Sequence, residues 1–227
     1  MKKVFIILFI SALTIILFNS CERENSNDVN QDRIYVLYEL IYTQSTDVTS
    51  ARASFFFGSI TGTKLELVAP SKVDFNGSLM GFKSVLAYYE TQISGLRSTG
   101  DFSWTTTEDT VFINSATIKQ VGLPATVDTI FKGQAYELAW IGDALSTGES
   151  VYAFVDGSAE NDAINVIQST PSATKIIITA AQTNNLSVGT NTIFLRRNNI
   201  TAAQNVNSAG ASCSGVYETN TINVEVK

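Results

Sequence analysis

The chain has 227 residues, of which 44% are hydrophobic, and its 15 basic and 21 acidic residues give a formal charge of −6. A modest, dispersed acidic balance argues for solubility and against a nucleic-acid partner. The sequence contains no histidine, which excludes Ser-His-Asp and Cys-His nucleophile pairs, imidazole-ligated zinc and the usual general base near neutral pH.

The N-terminal segment has the parts of a secretory signal. Lys2 and Lys3 precede an apolar run over residues 4–18, and Ser20 stands directly before Cys21. The segment resembles a bacterial lipoprotein signal, in which the cysteine after the apolar run is lipidated and becomes the mature N-terminus. The resemblance implies removal of residues 1–20 and acyl chains on Cys21 that hold the protein at a membrane.

Two other interpretations of this segment remain open. One is an ordinary secretory signal that ends near a cysteine. The other is an uncleaved membrane helix, although an apolar run of about 15 residues is short for a span of about 20. Glu22 next to the cysteine favours the outer membrane by resemblance to the sorting rules of lipoproteins. We therefore predict a bacterial cell-envelope protein, anchored by lipid to the periplasmic or surface face of the outer membrane.

The two cysteines do not predict a disulfide framework. If Cys21 is lipidated, Cys213 has no partner within the chain. Cys213 lies among small residues and is interpreted as a small, inert, partly buried side chain rather than a reactive thiol.

The chain after the signal divides into a polar segment and two β units. Residues 21–32 are predicted to be the lipidated cysteine and a flexible tether, because they are almost entirely polar. From Ile34 onward, Val, Ile, Thr, Phe and Tyr alternate with polar residues at a period of two, which is typical of β-strands. Gly122 and Pro124 mark a boundary. We predict an all-β protein of two consecutive β-sandwich domains, over residues 33–118 and 124–227.

Candidate strands follow from this alternation, and Asn76-Gly77 predicts a tight hairpin because its turn needs positive φ at both positions. In the first unit the strands are Ile34–Thr43, Arg52–Phe57, Lys64–Leu67, Val73–Phe75, Gly81–Glu90, Phe102–Trp104 and Thr110–Ile118. In the second unit they are Thr126–Phe131, Ala135–Trp140, Ser150–Val155, Ile164–Gln168, Lys175–Ala180, Thr192–Arg196 and Tyr217–Val226.

Seven short strands in about 100 residues is the number expected of an immunoglobulin-like sandwich. The second unit resembles such domains of bacterial surface proteins. Residues 135–142 correspond to a second strand and its turn, and residues 186–189, running into Ile193 and Leu195, correspond to the corner before a late strand. The resemblance implies an immunoglobulin-like second domain.

Clustered aromatic residues are the first candidate site. Neighbouring side chains in a strand point to opposite faces, so Phe55, Phe56 and Phe57 cannot all enter one core, and the same holds for Tyr88 and Tyr89. Either other parts of the chain cover the remaining rings, or Phe56, Tyr88 and Tyr89 form an aromatic platform for a glycan or a protein. Both interpretations remain open.

A weak metal candidate follows the strand that ends near Val155. Asp156, Ser158, Glu160 and Asp162 place oxygen groups at alternate positions, which suits a hard cation such as Ca²⁺. The spacing departs from the EF-hand pattern, and a solvated polar turn explains the composition as well. No metal or other cofactor is therefore predicted.

Other polar and aromatic residues are given structural interpretations. Trp104 and Trp140 are predicted to lie in the core. Arg196 and Arg197 are predicted to be an exposed loop flank at a strand end. Glycosidases need two suitably spaced carboxylates, and nothing in the spacing selects a pair from the four candidates. These are Glu66, Glu90, Glu137 and Glu160.

The sequence thus predicts a non-enzymatic envelope lipoprotein that binds a glycan or a protein partner or serves in assembly, with the membrane contacted through its N-terminal lipid. The alternatives are a carboxylate-dependent glycan hydrolase and a purely structural surface spacer.

Overall fold

The computed structural model describes residues 23–157 and 162–227, and strands dominate both ranges. The all-β prediction is confirmed. No helix in these ranges is long and apolar enough to cross a membrane. The signal segment, Cys21, Ser158 and Glu160 lie outside the described residues.

Seventeen strands are present in the described ranges, with one short α-helix and two single-turn 3₁₀ helices, Ser26–Asp28 and Gln31–Arg33. Strands β1 to β9 are Glu24–Asn25, Ile34–Thr43, Val48–Phe57, Lys64–Glu66, Lys72–Phe75, Ser78–Leu79, Gly81–Lys83, Tyr88–Ser94 and Thr99–Thr105. Strands β10 to β17 are Val111–Thr117, Tyr136–Ala139, Glu149–Asp156, Ile164–Gln168, Lys175–Ile178, Gly189–Ala202, Ala211–Glu218 and Ile222–Val226, and helix α1 is Ala180–Thr183.

Local chemistry accounts for the strands and for the tightest turn. In β2 every second side chain is buried, and the intervening ones are half-buried, as period-two alternation requires. Asn76 and Gly77 connect β5 to β6 with φ of 47° and 79°. The hairpin prediction is therefore confirmed, since both residues tolerate the left-handed backbone that this turn needs.

The strands form three sheets. The large sheet has eleven strands and runs β1-β4-β3-β2-β16-β15-β12-β13, while β8 and β7 extend it beyond β3, and β17 pairs with β15. The other two sheets are β10-β9-β5-β6 and β11-β14. One face of the large sheet, called the inner face here, carries the buried side chains, and the opposite, outer face carries the half-buried ones.

The two smaller sheets supply the second layers of the β-sandwiches. Tyr38 in β2 meets Phe102 in β9 with ring centroids 5.0 Å apart, and Phe55 in β3 meets Trp104 in β9 at 5.4 Å. At the other end of the large sheet, β14 lies against β12 and β13. Burial of these apolar faces is the main force that holds the layers together.

The large sheet is continuous across the predicted domain boundary. Strand β16 comes from the C-terminal half of the chain, yet it pairs in parallel with β2 along its whole length. Strand β15 pairs with β17 through residues 189–193 and with β16 through residues 196–202. Strands from both predicted domains therefore share one sheet. The boundaries 33–118 and 124–227 themselves stay a prediction.

The N-terminal residues of the described chain are part of the fold. Strand β1 pairs in parallel with β4. The Ser26 side chain is fully buried, and its hydroxyl accepts a hydrogen bond from the backbone N–H of Val68 at 3.0 Å. Gln31 is also buried and donates to the Ser26 carbonyl oxygen. Residues 24–32, which the sequence suggested were part of a flexible tether, thus pack against the body instead of extending from it.

Candidate functional site

An aromatic group stands on the outer face of the large sheet, between β12 and β15. Phe154 and Phe194 lie directly opposite each other in the two strands. Their ring centroids are 4.6 Å apart with an interplanar angle of 7°, and Tyr152 continues the row at 6.2 Å and 19°. All three side chains are half-buried. We call Tyr152, Phe154 and Phe194 the aromatic strip.

Further exposed apolar side chains lie on the same sheet face as the aromatic strip. Ile167 in β13 is the cross-strand neighbour of Tyr152 and is 55% exposed. Ile200, further along the outer face of β15, is also 55% exposed. Neighbouring exposed apolar groups on one sheet face are typical of an interaction surface rather than of free solvent-facing sheet.

Polar groups beside the aromatic strip lack partners. Arg196 and Asn198 alternate with the buried residues of β15 and so share the outer face with Phe194. The Nε atom of Arg196 and the Oδ1 atom of Asn198 are buried, and neither has a hydrogen-bond partner within residues 23–157 and 162–227. Such atoms destabilise a folded protein unless another group satisfies them. The Nε atom of the inward-facing Arg197 is unpaired in the same way, so such atoms occur on both faces of β15.

The adjacent Arg197 points to the inner face and has a different environment. It is 1% exposed, so the prediction that it lies on an exposed loop flank is wrong. Strand β15 continues through it to Ala202, and alternation buries every second side chain. Its Nη1 atom donates to the Gln120 and Asp143 carbonyl oxygens at 3.2 and 2.9 Å. Its Nη2 atom donates to a carboxylate oxygen of Glu149.

The ion pair between Arg197 and Glu149 is buried on both sides, since their side chains are 1% and 3% exposed. Burial raises the pKa of Glu149, but a hydrogen bond from the Ser146 backbone N–H and the contact with Arg197 outweigh it. The net pKa of this carboxyl group therefore lies below its ordinary value, and Glu149 is ionised at neutral pH. The ion pair links β12 to β15, and the hydrogen bond from Arg197 to the Gln120 carbonyl oxygen attaches the segment between β10 and β11 to these strands.

A cleft of about 450 Å³ lies near this ion pair. Its lining is mainly backbone, amide and apolar groups and contains no Asp or Glu. The lining comes from four segments, and its residues are Gln44, Gln120, Val121, Gly122, Leu123, Pro124, Ala125, Ile141, Gly142, Tyr217, Thr219, Asn220 and Ile222. Hydrolysis of a glycan by a carboxylate pair requires two such groups in the cleft, and this lining does not supply them.

The four glutamates considered for hydrolysis occupy separate surroundings. Glu90 accepts from Arg52 at 2.8 Å and lies 3.9 Å from Lys83. Glu137 is paired with Lys175 at 2.6 Å on the β11-β14 sheet. Glu66 lies 3.8 Å from Arg23, and Glu160 is outside the described residues. Each of the three described carboxylates therefore has a basic side chain as its ion-pair partner.

The aromatic residues singled out in the sequence are largely covered within the chain. Phe56 and Tyr89 are each 8% exposed, and Tyr88 is half-buried beneath the Arg52 guanidinium, 5.0 Å from its ring centre. The Tyr89 hydroxyl accepts from the backbone N–H of Leu67 at 2.7 Å. Burial raises the pKa of Tyr89 to about 12. A ligand role for Phe56, Tyr88 and Tyr89 stays a prediction.

The weak metal candidate also remains a prediction. Asp156 is exposed at the end of β12 and Asp162 is buried, while Ser158 and Glu160 are outside the described residues. Within the described ranges, no three His, Cys, Asp or Glu side chains lie close enough to hold a metal ion.

The core interpretations of single residues are confirmed. Trp104 and Trp140 are 1% and 7% exposed. Cys213 is a free, fully buried thiol, and burial raises its pKa to about 11. A thiol that is buried and protonated at neutral pH is inert.

The aromatic strip was missed in the sequence, although a signal for it was present. Residues 151–155 are apolar at every position, Val-Tyr-Ala-Phe-Val. A strand can bury only one set of alternate side chains in one core, so Tyr152 and Phe154 had to lie on the opposite face from Val151 and Val155. Phe194 could not be placed beside them without the register of β12 and β15.

No protein-family model matches the chain, and no curated protein matches its sequence. Among solved structures, the FN1-FN3 domains of chicken CNTN1 match 84% of this chain with 8% identity and a TM-score of 0.31. A tetra-tandem repeat from the extending region of a large adhesion protein matches 86% with 12% identity and a TM-score of 0.29. A 1.5-MDa bacterial ice-binding adhesin matches 85% with 9% identity and a TM-score of 0.25.

The matched region spans 64%, 49% and 65% of those three chains. At these identities and TM-scores the similarities assign no function to the protein. The function of the protein is therefore inferred from its own residues.

Proposed function

We propose that this protein is a non-enzymatic module of the bacterial cell envelope, lipidated at Cys21, that binds an envelope protein through the aromatic strip. Its second β unit serves as an immunoglobulin-like sandwich that presents this surface. The observation that carries the proposal is the row of three stacked, half-buried rings next to the exposed Ile167 on one face of the large sheet.

The ring geometry favours a protein partner over a glycan. A sugar usually packs on the open face of an aromatic ring. Phe154 and Phe194 are stacked on each other at 4.6 Å, so each covers one face of the other. The strip therefore presents mainly ring edges, flanked by Ile167, and this surface suits apolar side chains of a protein. Arg196 and Asn198 are half-buried beside the rings, and their exposed atoms would make the polar contacts next to this apolar surface.

Site-specific photo-crosslinking in the native bacterium tests the proposed surface. A benzophenone amino acid in place of Phe194 is expected to give an adduct of one discrete protein mass. The matched control replaces Phe131, which is 49% exposed and lies in the segment between β10 and β11. We expect no such adduct from that position. Adding Phe154→Thr to the Phe194 probe should weaken binding, and with it the adduct yield, about 30-fold, because hot-spot aromatic residues contribute about 2 kcal/mol or more to binding.

Other results of these experiments would indicate a glycan partner or the absence of a binding role. Glycan-array binding that is lost in Phe194→Thr, without a protein adduct, would show a glycan partner. An absence of both protein adduct and glycan binding would reject the binding role. The anchor is tested separately, since Cys21→Ser should move the protein from the membrane fraction to the soluble fraction, and unchanged partition would refute lipidation.

A further inference from the structure

The turn between β7 and β8 carries solvent-exposed apolar side chains. Val85 is 94% exposed and Leu86 is 58% exposed, and they are adjacent at the end of the hairpin. Phe82 and Tyr88 lie at its base and are half-buried. Residues 83–88 are called the hairpin tip here. Two adjacent aliphatic side chains exposed at one loop end leave apolar surface in water unless something covers them.

Basic groups surround the hairpin tip. Lys64 donates from Nζ to the Leu86 carbonyl oxygen at 2.6 Å, and Arg23 donates from Nη1 to the Ser84 carbonyl oxygen at 2.9 Å. Lys83 lies in the tip itself, with 54% of its side chain exposed. Two carboxylates are close by, Glu66 at 3.8 Å from Arg23 and Glu90 at 3.9 Å from Lys83. Glu90 is buried and also paired with Arg52, so three basic side chains and one exposed carboxylate, Glu66, border the tip.

The chain enters the fold at this same point. Arg23 contacts the tip through its hydrogen bond to Ser84, and β1 begins at the next residue. Because residues 24–33 pack against the body, only residues 21–23 can act as a tether. Two residues of chain span at most about 7 Å. An acyl chain on Cys21 would therefore hold Arg23, and with it the hairpin tip, close to the bilayer.

We propose that the hairpin tip inserts Val85 and Leu86 into the headgroup region of the bilayer that holds the lipid anchor. This inference rests on the lipidation of Cys21 that is part of the proposed function. An apolar end with a basic rim is the arrangement by which monotopic segments bind anionic membrane surfaces. The apolar side chains enter the acyl boundary, while Lys64, Lys83 and Arg23 meet the phosphates. The contact fixes the orientation of the body on the membrane.

A single fluorescent label tests this contact in the full, lipidated protein. Val85→Cys is labelled with an environment-sensitive nitrobenzoxadiazole dye and reconstituted in vesicles of phosphatidylethanolamine and phosphatidylglycerol. Cys213 is fully buried and does not compete for the dye. The matched control is Val188→Cys, which is 68% exposed in the loop before β15. Both sites are exposed, so neither substitution should disturb the fold.

We expect a blue-shifted emission and about twofold or greater protection from iodide for the label at residue 85 but not at residue 188. A nitroxide attached to the lipid should quench only the label at residue 85. Equal iodide quenching at both sites, in protein that sediments with the vesicles, would overturn the insertion and leave the anchor intact. Protection from iodide without nitroxide quenching would indicate a protein contact and also overturn it. Protein that stays in the supernatant would refute the anchor, and the tip position with it.

Discussion

Two neighbouring arginines in β15 point to opposite faces of the large sheet, and the environments of their side chains differ. On the inner face, the terminal nitrogens of Arg197 donate to backbone carbonyl oxygens and to Glu149. On the outer face, Arg196 has a buried Nε atom without a partner in the described chain and lies in the same row as Phe194. The Nε atom of Arg197 is also buried without a partner in the described chain, so the faces differ in two other respects. The inner face holds the ion pair with Glu149, whereas the outer face carries partly exposed apolar side chains.

This difference distinguishes residues that stabilise the fold from residues that are available for binding. A buried charge is tolerated only when its partners are supplied, and the chain supplies them to Arg197. The aromatic strip has no comparable covering layer in the described chain, and its rings are half-buried mainly by one another and by neighbouring strands. We therefore expect inner-face substitutions to affect stability and outer-face substitutions to affect binding.

The largest expected effect is that of Arg197→Met, which should lower the free energy of unfolding by about 3–5 kcal/mol, because Glu149 would remain as a buried, unpaired charge. Urea unfolding measures this difference. The control Arg196→Met should change the free energy by less than about 1 kcal/mol, since a partly exposed charge without an ion pair contributes little. The double variant Arg197→Met with Glu149→Leu should recover part of the loss. Equal effects at residues 196 and 197 would contradict the distinction between the faces.

Apolar residues on the same strand give the second comparison. Leu195→Ala should cost about 2–5 kcal/mol, because Leu195 is fully buried and its removal leaves a cavity. Phe194→Ala removes a larger side chain but should cost only about 1–2 kcal/mol, because the ring is half-buried. Thermal or urea unfolding of both variants checks the order. A greater loss in Phe194→Ala would show that the aromatic strip is needed for folding.

The ion pair also predicts how stability depends on pH. The pKa of Glu149 is lower in the folded protein than its ordinary value of 4.5. A depressed carboxyl pKa contributes stability that is present above the unfolded value and is lost as the pH falls through the folded value. Between pH 7 and pH 3, the urea midpoint of the natural protein should fall more steeply than that of Glu149→Gln. Parallel curves for the two proteins would reject this assignment.

The smallest expected effect on stability comes from a comparison of substitutions at two neighbouring asparagines, Asn198 and Asn199. Asn198→Val should stabilise the protein by up to about 1 kcal/mol, because it removes an unpaired buried polar atom and places a β-branched residue in a strand. The same change should weaken the crosslink from residue 194. The matched control, Asn199→Val, should destabilise the protein, since the Nδ2 atom of Asn199 donates to the Thr117 carbonyl oxygen at 2.8 Å. Stabilisation by both variants would remove the contrast between the faces.

Much of the local structure could be predicted from the sequence. Alternation placed β2 at its observed bounds, and Asn76-Gly77 located the tight hairpin. The single strand predicted over Tyr217–Val226 is divided in the structure, where β16 ends at Glu218 and β17 is Ile222–Val226. The prediction failed at residues 196–199, where two arginines and two asparagines look like a solvated strand end. Strand β15 continues there because each inward residue finds a partner far away in the chain. Glu149, for example, is 48 positions from Arg197.

The candidate site was less predictable than the fold. The aromatic residues singled out in the sequence are mostly covered by the chain. They are Phe55, Phe56, Phe57, Tyr88 and Tyr89. The aromatic strip combines residues that only the register of β12 and β15 brings together. A run of apolar residues shows that a second face needs cover, but it does not show whether the chain or a partner provides that cover.

By itself, the sequence determined the all-β class, the strand alternation and the exclusion of histidine chemistry, because these depend on residue type and on spacing within a few positions. Only the tertiary structure decided that β16 joins β2 in one continuous sheet, that residues 24–33 pack against the body, and that Phe154 stacks on Phe194. Strand pairing between distant segments depends on which edges and faces remain uncovered once the other elements have packed, and no local pattern records that.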